Sequence, residues 1–416
     1  MVISTREVLP RPLNVAELIA SSQVQRTFEF IDSHLNEITE EHVRICSIPA
    51  SPFGEGQRAE YFRDKFIALG LTNAQIDEEG NCLALRQGRT DDPLLVVSAH
   101  LDTVFDAETD FTVKLVGGKL LAPGISDDGC GLVALLTLVE ALNAAKIETE
   151  GSVLFVATVG EEGEGNLRGV KHLLTKGEYA NRVAAFISFD GAEIDRITNM
   201  ALSSRRYRVA LKGVGGHSWA DFGNVNPVHA LGRAITKLSS YPAPLQPRTT
   251  FNVGRITGGN SVNAIPQEAT MDVDLRSSHA EELLKLDAFF RRAVREAAET
   301  ENSSRRNGGR PLEVKVELTG ERPGGETPAD SQIVRLAFEA TEAVGATAQL
   351  NQASTDSNLP ISLGIPAITL GAGGRSANSH TLDEWYDPRG RDLGLKRALL
   401  VILGTVGLRT KKIEEG

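Results

Sequence analysis

Histidine and carboxylate side chains follow short apolar segments at several places in this sequence. The ionisable residues are His100, Asp102, Glu161, Glu162, Asp190 and His380, and the apolar segments are 94–99, 152–159, 184–189 and 365–370. An acidic pair, Asp127 and Asp128, comes shortly before a further apolar stretch at 131–146. Imidazole and carboxylate groups together suit zinc, manganese or cobalt as ligands. These residues therefore predict a divalent metal site.

Several carboxylates beside only two histidines predict more than one ion, with a carboxylate that bridges them. Paired ions about 3.5–4 Å apart serve hydrolases because they activate a shared water molecule and hold oxygen atoms in the transition state. Of Glu161 and Glu162, one can bind metal while the other acts as a general base. Asp102 lies two residues after His100, a spacing that suits a carboxylate that fixes a ligating imidazole. The expected chemistry is metal-assisted hydrolysis.

The four apolar segments are continuous rather than alternating, which is typical of strands buried on both faces of a parallel sheet. The stretch 131–146 is a helix candidate between the first two of them. This strand–helix–strand order predicts an α/β domain with a mostly parallel sheet and helices on both faces. Ligands bind outside the carboxyl ends of the strands in such sheets, so we expect the four loops to converge.

The middle of the chain follows a different pattern. Strands are expected at 206–213, 251–256, 269–276 and 312–318, and helices at about 226–240 and 280–301. Alternation of polar and apolar residues in most of these strands indicates a sheet with one solvated face. The order β-α-β-β-α-β predicts a ferredoxin-like α+β domain at 204–320. It would be inserted into a catalytic α/β domain formed by 1–203 and 321–416.

The composition restricts the partners and the compartment. The 416 residues include 44 Lys and Arg against 55 Asp and Glu, a net charge of −11, which argues against nucleic acid or an anionic membrane as the main partner. No apolar stretch reaches the roughly 20 residues of a membrane span. The three cysteines are too scattered for a disulfide framework, and the N-terminal segment lacks the apolar core of a signal peptide. We expect a soluble, cytoplasmic protein.

Six segments of the chain, in this order, resemble motifs of the co-catalytic metallopeptidase family that includes peptidase T, carboxypeptidase G, acetylornithine deacetylase and succinyl-diaminopimelate desuccinylase. They are AHLDTV (99–104), PGISDDGCG (123–131), GEEGEGNLRGVKHL (160–173), SFDG (188–191), GGHS (215–218) and NSHTLDEW (378–385). The resemblance covers about Ile48 to Trp385 and is strongest to peptidase-T-like members. It implies that the inserted domain is a lid and dimerisation domain and that the protein is a homodimer.

The resemblance also implies a ligand set for two metal ions. His100 and Asp190 would hold one ion. Glu162 and His380 would hold the other, and Asp127 would bridge the two. Zinc is the metal expected at both positions, with cobalt or manganese as alternatives.

The same resemblance implies roles around the metals. Glu161 would be the general base and Asp102 would orient the first metal-binding histidine. His217 would stabilise the tetrahedral oxyanion, in this family often by reaching into the site of the partner subunit. Asn263 and Arg276 match lid positions that contact the substrate, and the planar guanidinium group of Arg276 suits a carboxylate.

Position 190 bears on the substrate. Family members that need a free substrate amine tend to have Asp where this chain has Asp190, whereas carboxypeptidases and deacylases tend to have Glu. The resemblance therefore favours an aminopeptidase acting on di- and tripeptides, with a metal-bridging water as the nucleophile. The alternatives are an amidohydrolase that removes an acyl group from an amino acid, and a non-catalytic protein that binds metal or peptide.

Some of these residues also have a purely structural interpretation. Arg276 could pair with an acidic neighbour on its sheet, and His217 could simply belong to a glycine-rich turn. Asp128 is expected to cap the following helix, and Cys130 to pack in the interior. The default interpretation of His34, His42, His172, His229 and His279 is that they lie in the core or on the surface.

Overall fold

The computed structural model describes residues 14–306 and 309–409; residues 1–13, which include much of the segment considered for a signal peptide, lie outside this part. The helices of the described residues are α1 (Val15–Ala20), α2 (Ser22–Ser33), α3 (Leu35–Cys46), α4 (Gly56–Ala68), α5 (Gly129–Ala144), α6 (Arg168–Thr175), α7 (Pro227–Ser239), α8 (Ala280–Ser303), α9 (Gln332–Ala343), α10 (Asn358–Ser362) and α11 (Arg391–Val406). The strands that precede α7 are β1 (Thr72–Ile76), β2 (Cys82–Arg86), β3 (Leu94–His100), β4 (Lys114–Val116), β5 (Lys119–Leu121), β6 (Ser152–Thr158), β7 (Val183–Phe189), β8 (Arg196–Ala201), β9 (Ser203–Lys212) and β10 (Gly216–His217). Those that follow it are β11 (Thr249–Gly258), β12 (Ala264–Ile265), β13 (Glu268–Ser277), β14 (Glu313–Arg322), β15 (Gly325–Glu326), β16 (Gln349–Ala353), β17 (Ala367–Leu370), β18 (Arg375–Ala377) and β19 (Trp385–Asp387).

The chain divides into two compact units. The first consists of Met1–Met200 and Glu326–Gly416, and the second of Ala201–Gly325. The segment 204–320, for which a separate domain was predicted, lies inside the second unit. Within the described ranges, no helix combines the length and the apolar character that a membrane span requires.

A nine-stranded sheet forms the centre of the first unit. Its strand order is β1-β2-β6-β3-β7-β17-β8-β15, and β16 also pairs with β8. Strand β3 runs parallel to both β6 and β7, and β17 runs parallel to β7. The prediction of an α/β fold with a mostly parallel central sheet is confirmed for these four strands. Because they are parallel neighbours, their carboxyl ends lie along one edge of the sheet.

The helices of the first unit bury apolar faces against this sheet. Helix α5 contacts β3, and nearly all of its faces are buried because its residues are apolar almost throughout. It begins at Gly129, and the side chain of Asp128 accepts a hydrogen bond from Gly131 N at 3.1 Å. This is the helix cap predicted for Asp128. It fixes where the chain leaves the acidic pair and enters the helix.

The second unit is an antiparallel sheet with two helices. The strand order is β11-β13-β9-β14. The order of the long elements along the chain is β9, α7, β11, β13, α8, β14. Apolar residues of β13, such as Val273 and Leu275, are buried in a core shared with α7 and α8. The polar residues that alternate with them are half-buried, and Asp272 among them pairs across strands with Arg208 at 2.8 Å.

Candidate metal centre

Three of the five predicted metal-binding residues lie at or after the ends of parallel strands of the first unit. His100 is the last residue of β3, Asp190 follows β7 directly, and Glu162 lies in the loop after β6. His380 lies between β18 and β19, and Asp127 precedes α5. Because the central strands are parallel, their loops extend from the same edge of the sheet.

Four of these side chains are in direct contact. Nε2 of His100 lies 2.9 Å from Oδ1 of Asp127, and Nε2 of His380 lies 3.0 Å from Oδ2 of the same carboxylate. Nε2 of His380 is also 2.8 Å from Oε1 of Glu162. Within the described residues, His100, Asp127 and Glu162 form the one group of three or more potential ligands whose atoms all lie within 4.8 Å of one another. The two oxygens of Asp127 thus face two different imidazoles.

The donor set fits divalent cations. Nδ1 of His100 lies 2.9 Å from the carbonyl oxygen of Asp102, which can only accept, so Nδ1 carries the hydrogen. In the neutral ring, Nε2 is then a lone-pair acceptor that faces the Asp127 carboxylate, itself an acceptor. Such a contact needs a proton or a cation between the two groups. Imidazole nitrogens and carboxylate oxygens are the ligands that zinc, cobalt and manganese take.

The metal-free side chains perturb one another strongly. Contacts with Asp127 and Glu162 raise the pKa of His380 to about 11. Burial lowers the pKa of His100, but contacts with Asp102 and Asp127 outweigh burial and raise it well above its usual value. Burial, together with the negative charge of Asp127, raises the pKa of Asp190 to about 7. Negative charge is therefore concentrated where the two imidazoles meet the carboxylates.

Asp102 contacts both the His100 ring and the Glu161-Glu162 segment. Its carboxylate oxygen lies 3.7 Å from Nδ1 of His100, whereas its backbone carbonyl makes the close contact with that ring. The carboxylate instead accepts hydrogen bonds from the backbone N–H groups of Glu161, at 3.0 Å, and Glu162, at 2.8 Å. One buried residue therefore orients an imidazole with its backbone and holds the Glu161-Glu162 segment with its side chain.

The carboxylate of Asp128 binds backbone N–H groups and is not one of the side chains in contact around Asp127. In addition to capping α5, it accepts hydrogen bonds from the backbone N–H groups of His100, at 3.2 Å, and Gly191, at 3.3 Å. The peptide bond that joins it to Asp127 is cis. The side chain of Asp128 therefore connects the end of β3, the segment after β7 and the start of α5.

The loop that carries His380 has an unusual backbone. His380 has a φ of +66° and Asn378 a φ of +63°. Such left-handed conformations cost about 1–3 kcal/mol for residues other than glycine and persist where the surroundings determine them strongly. Here the contacts with Asp127 and Glu162 hold the side chain of His380, although about half of that side chain is exposed.

Two further residues support the site without having been predicted to do so. Glu384 is fully buried and accepts hydrogen bonds from the loop that contains Asp127. His42, for which a core or surface position was the default interpretation, contacts the carbonyl oxygen of Ile125 at 2.7 Å. The helical spacing of His42 with buried Ile38 and Ile45 is a signal of its buried position. For Glu384, the signal is its place in the NSHTLDEW motif (378–385), four residues after His380.

The other predicted residues belong to the second unit. His217 and Asn263 lie side by side, because β10 pairs with β12 and Ser218 N donates to Asn263 O at 2.9 Å. Both are exposed. Arg276 lies on β13, and its Nε contacts Asp274 Oδ2 at 2.7 Å. Arg276 therefore has an acidic partner on its own strand.

The backbone around His217 fixes its tautomer. Nδ1 accepts hydrogen bonds from the N–H groups of Trp219, at 3.2 Å, and Ala220, at 3.3 Å. Because Nδ1 is an acceptor, the neutral ring carries its hydrogen on Nε2. The exposed His217 ring therefore offers an N–H donor to whatever it meets.

Comparison with known families is consistent with this arrangement. A sequence model of peptidase family M20/M25/M40 matches residues 96–402. That range includes all the residues predicted for the metal centre and those of the second unit.

Three individual proteins that resemble this chain are between 21% and 28% identical to it over the matched ranges. The protein YqjE of Bacillus subtilis (strain 168) is 25% identical over 352 residues, which cover 81% of this chain and 90% of that protein. Succinyl-diaminopimelate desuccinylase of Nitrosococcus oceani is 28% identical over 230 residues, which cover 51% of this chain and 61% of the relative. Among solved structures, aminopeptidase PepT from Bacillus cereus ATCC 10987 has a TM-score of 0.72 at 21% identity, covering 89% of this chain and 98% of its own. This last likeness shows a shared fold.

Proposed function

Because the chain belongs to peptidase family M20/M25/M40 and is a metal-dependent hydrolase, we propose that it is a two-metal aminopeptidase acting on di- and tripeptides. The observation that carries the proposal is the position of Asp127. Its two oxygens lie 2.9 and 3.0 Å from the Nε2 atoms of His100 and His380. A carboxylate shared by two imidazoles suits the bridging position of a two-ion site.

In this proposal each ion has its own residues besides the bridging Asp127. His100 and Asp190 hold one ion, and Glu162 and His380 hold the other. Zinc is the metal proposed, with cobalt or manganese as alternatives. When bound, two divalent ions lower the pKa of a water molecule and draw electrons from the scissile carbonyl group.

Glu161 is proposed as the general base. Its side chain is nearly buried, at 4% exposure, and its backbone N–H is held by Asp102. A buried carboxylate on a backbone held in this way can take the proton of the attacking water and later deliver it to the leaving amine. The adjacent Glu162 contacts His380 instead, so the two glutamates have separate tasks.

His217 is proposed to stabilise the oxyanion. The tautomer set by Trp219 and Ala220 leaves Nε2–H free to donate to an oxygen that becomes negative in the transition state.

We further propose that the second unit acts as a lid and dimerisation domain in a homodimer. The exposure of His217 on that unit is compatible with a donor that completes a site only when substrate is bound.

The proposed substrate has a free amine. The support is Asp190, since the family resemblance associates Asp at this position with aminopeptidases, together with the fold shared with an aminopeptidase. Asn263 and Arg276 are proposed substrate contacts. The 28% sequence identity to a succinyl-diaminopimelate desuccinylase favours a second candidate function, an amidohydrolase that removes acyl groups from N-acyl amino acids.

A cytoplasmic location is also proposed and is supported by the buried free thiols of Cys46, Cys82 and Cys130.

Metal removal and return tests the two-metal proposal. Chelator-treated protein should lose hydrolysis of a tripeptide such as Ala-Ala-Ala and regain it with zinc, cobalt or manganese. Elemental analysis should then find two ions per chain. Full activity after complete metal removal would contradict the proposal, as would saturation at a single ion per chain.

A further inference from the structure

The side chain of Glu384 is surrounded by hydrogen-bond donors from one short loop. Oε1 accepts from Ser126 N at 2.7 Å, from Ser126 Oγ at 2.6 Å and from Asp127 N at 3.0 Å. Oε2 accepts from Gly124 N at 2.9 Å. Glu384 and Ser126 have no exposed surface. One carboxylate therefore accepts hydrogen bonds from three of the four backbone N–H groups of the 124–127 loop and from the Ser126 hydroxyl group.

The partners suit an ionised carboxylate. Three of the four are backbone N–H groups, which can only donate, and the hydroxyl group of Ser126 can donate as well. Hydrogen bonds to a charged group are stronger than those between neutral groups. Removal of the carboxylate would leave buried N–H groups without an acceptor, which is unfavourable. The 124–127 loop is thus strongly tied to Glu384.

Glu384 also belongs to the segment that carries His380. Its backbone N–H donates to Thr381 O at 3.2 Å, and its carbonyl accepts from Ala122 N at 3.2 Å. The next residue, Trp385, pairs with Leu121 in the ladder between β19 and β5. Side chain and backbone together therefore join the segment after His380 to the segment before Asp127.

A second buried group, His42 on helix α3, holds the same loop. Arg391 donates to Nδ1 of His42 at 2.6 Å, so the neutral ring carries its hydrogen on Nε2 and donates it to Ile125 O at 2.7 Å. His42 therefore binds the carbonyl of a loop whose N–H groups bind Glu384. Hydrogen bonds therefore hold both a carbonyl group and the N–H groups of this loop, and they restrict the backbone conformation of Asp127.

We propose that Glu384 is a positioning residue that fixes Asp127 relative to His380 and thereby sets the affinity of the site for divalent cations. The inference rests on the proposed metal site, but Glu384 is not one of its ligands. Residues that orient ligands typically change metal affinity by about 10–100-fold when they are replaced. The shared carboxylate of Asp127 is the ligand through which Glu384 acts.

Cobalt binding to the metal-free protein tests the proposal, with visible absorbance of Co²⁺ as the readout. E384Q keeps one oxygen for Ser126 and Asp127 but turns an amide N–H₂ toward Gly124 N, so its affinity should fall about 10-fold. E384A should lose about 100-fold. The control is E301Q, because Glu301 is also buried, accepts a backbone N–H from Asn226 at 2.8 Å, and lies in the other unit. Equal affinities for E384Q and the wild type would overturn the proposal.

S126A provides a milder variant in case E384Q does not fold. It removes only the hydroxyl donor at 2.6 Å and should weaken cobalt binding several-fold. Its control is S203A, which removes a buried hydroxyl that donates to Ser277 O at 2.7 Å in the second unit. Circular dichroism at the titration temperature checks that each variant is folded. If S126A and S203A bind cobalt as tightly as the wild type, the proposal is wrong; a wild type that binds no cobalt would contradict the metal site itself.

Discussion

Nε2 of His380 lies 3.0 Å from Oδ2 of Asp127, although 253 residues separate them in the chain. The other oxygen of that carboxylate lies 2.9 Å from Nε2 of His100. The fold brings the three together because the side chain of Asp128, next to Asp127, accepts from His100 N, and because Glu384, in the segment after His380, accepts from Asp127 N. The result is a carboxylate placed between two imidazoles, the arrangement from which the proposed function follows.

Glu161→Gln should abolish most turnover without loss of metal. The amide cannot take a proton from water, and general-base catalysis typically contributes about 10²–10⁴-fold. The measurement is kcat for a tripeptide, with elemental analysis of the same sample. E301Q is the matched control, since it makes the same chemical change in the other unit. Near-normal kcat at full metal content would mean that Glu161 is not the base.

His217→Ala should lower kcat by about 10²–10³-fold, the typical loss when one oxyanion donor is removed. Metal content and Co²⁺ affinity should stay at the wild-type level, because His217 is not among the proposed ligands. His229→Ala, which removes an exposed histidine from α7 of the same unit, serves as the control. A rise in KM with kcat unchanged would argue against the oxyanion role.

Metal binding should release protons and become tighter as the pH rises. His380 has a pKa raised to about 11 in the metal-free protein, so its ring holds a proton at neutral pH that a cation must displace. Raising the pH removes this competition, and affinity should increase by up to about tenfold per pH unit for each proton displaced. Cobalt titrations between pH 6 and 8.5 measure the slope. His380→Asn should lower the slope by about one proton, and a pH-independent affinity would contradict the assignment.

The stability of the protein should fall below pH 6.5 in part because of His42. Burial, and then the nearby Arg391 charge, hold the pKa of His42 well below its usual value. The unfolded chain binds this proton below about pH 6.5 while the folded protein does not, so the free energy of unfolding decreases by up to about 1.4 kcal/mol per pH unit. Denaturant unfolding of His42→Gln should show a correspondingly smaller slope between pH 6.5 and 5. His229→Gln should keep the wild-type slope.

The fold could be predicted from the sequence because its signals are local. Continuous apolar strands such as β3 and β6 indicate a sheet buried on both faces, and alternating strands such as β13 indicate a second sheet. The antiparallel outer strands of the first sheet were not predicted, since strand direction depends on connections that apolar runs do not encode.

The sequence motifs predict which residues form the candidate site, but they do not predict which groups orient those residues. His100 directly follows the apolar segment 94–99 and His380 lies ten residues after the apolar segment 365–370, but the partners of Glu384 come from a loop far away in the sequence. Likewise, a His-x-Asp spacing does not reveal that Asp102 contacts His100 with its carbonyl and Glu162 with its carboxylate. Such assignments depend on loop conformations, which spacing alone does not determine.

Hydrolysis of matched free and N-acetylated peptides tests the central claim most directly. The zinc-loaded protein would be given Ala-Ala and Ala-Ala-Ala beside their N-acetyl forms and N-succinyl amino acids, with release of amino acids as the readout. The proposed function predicts metal-dependent cleavage of the free-amine peptides and none of the acylated compounds. Cleavage confined to the N-acylated compounds would contradict it and assign the protein to the deacylases.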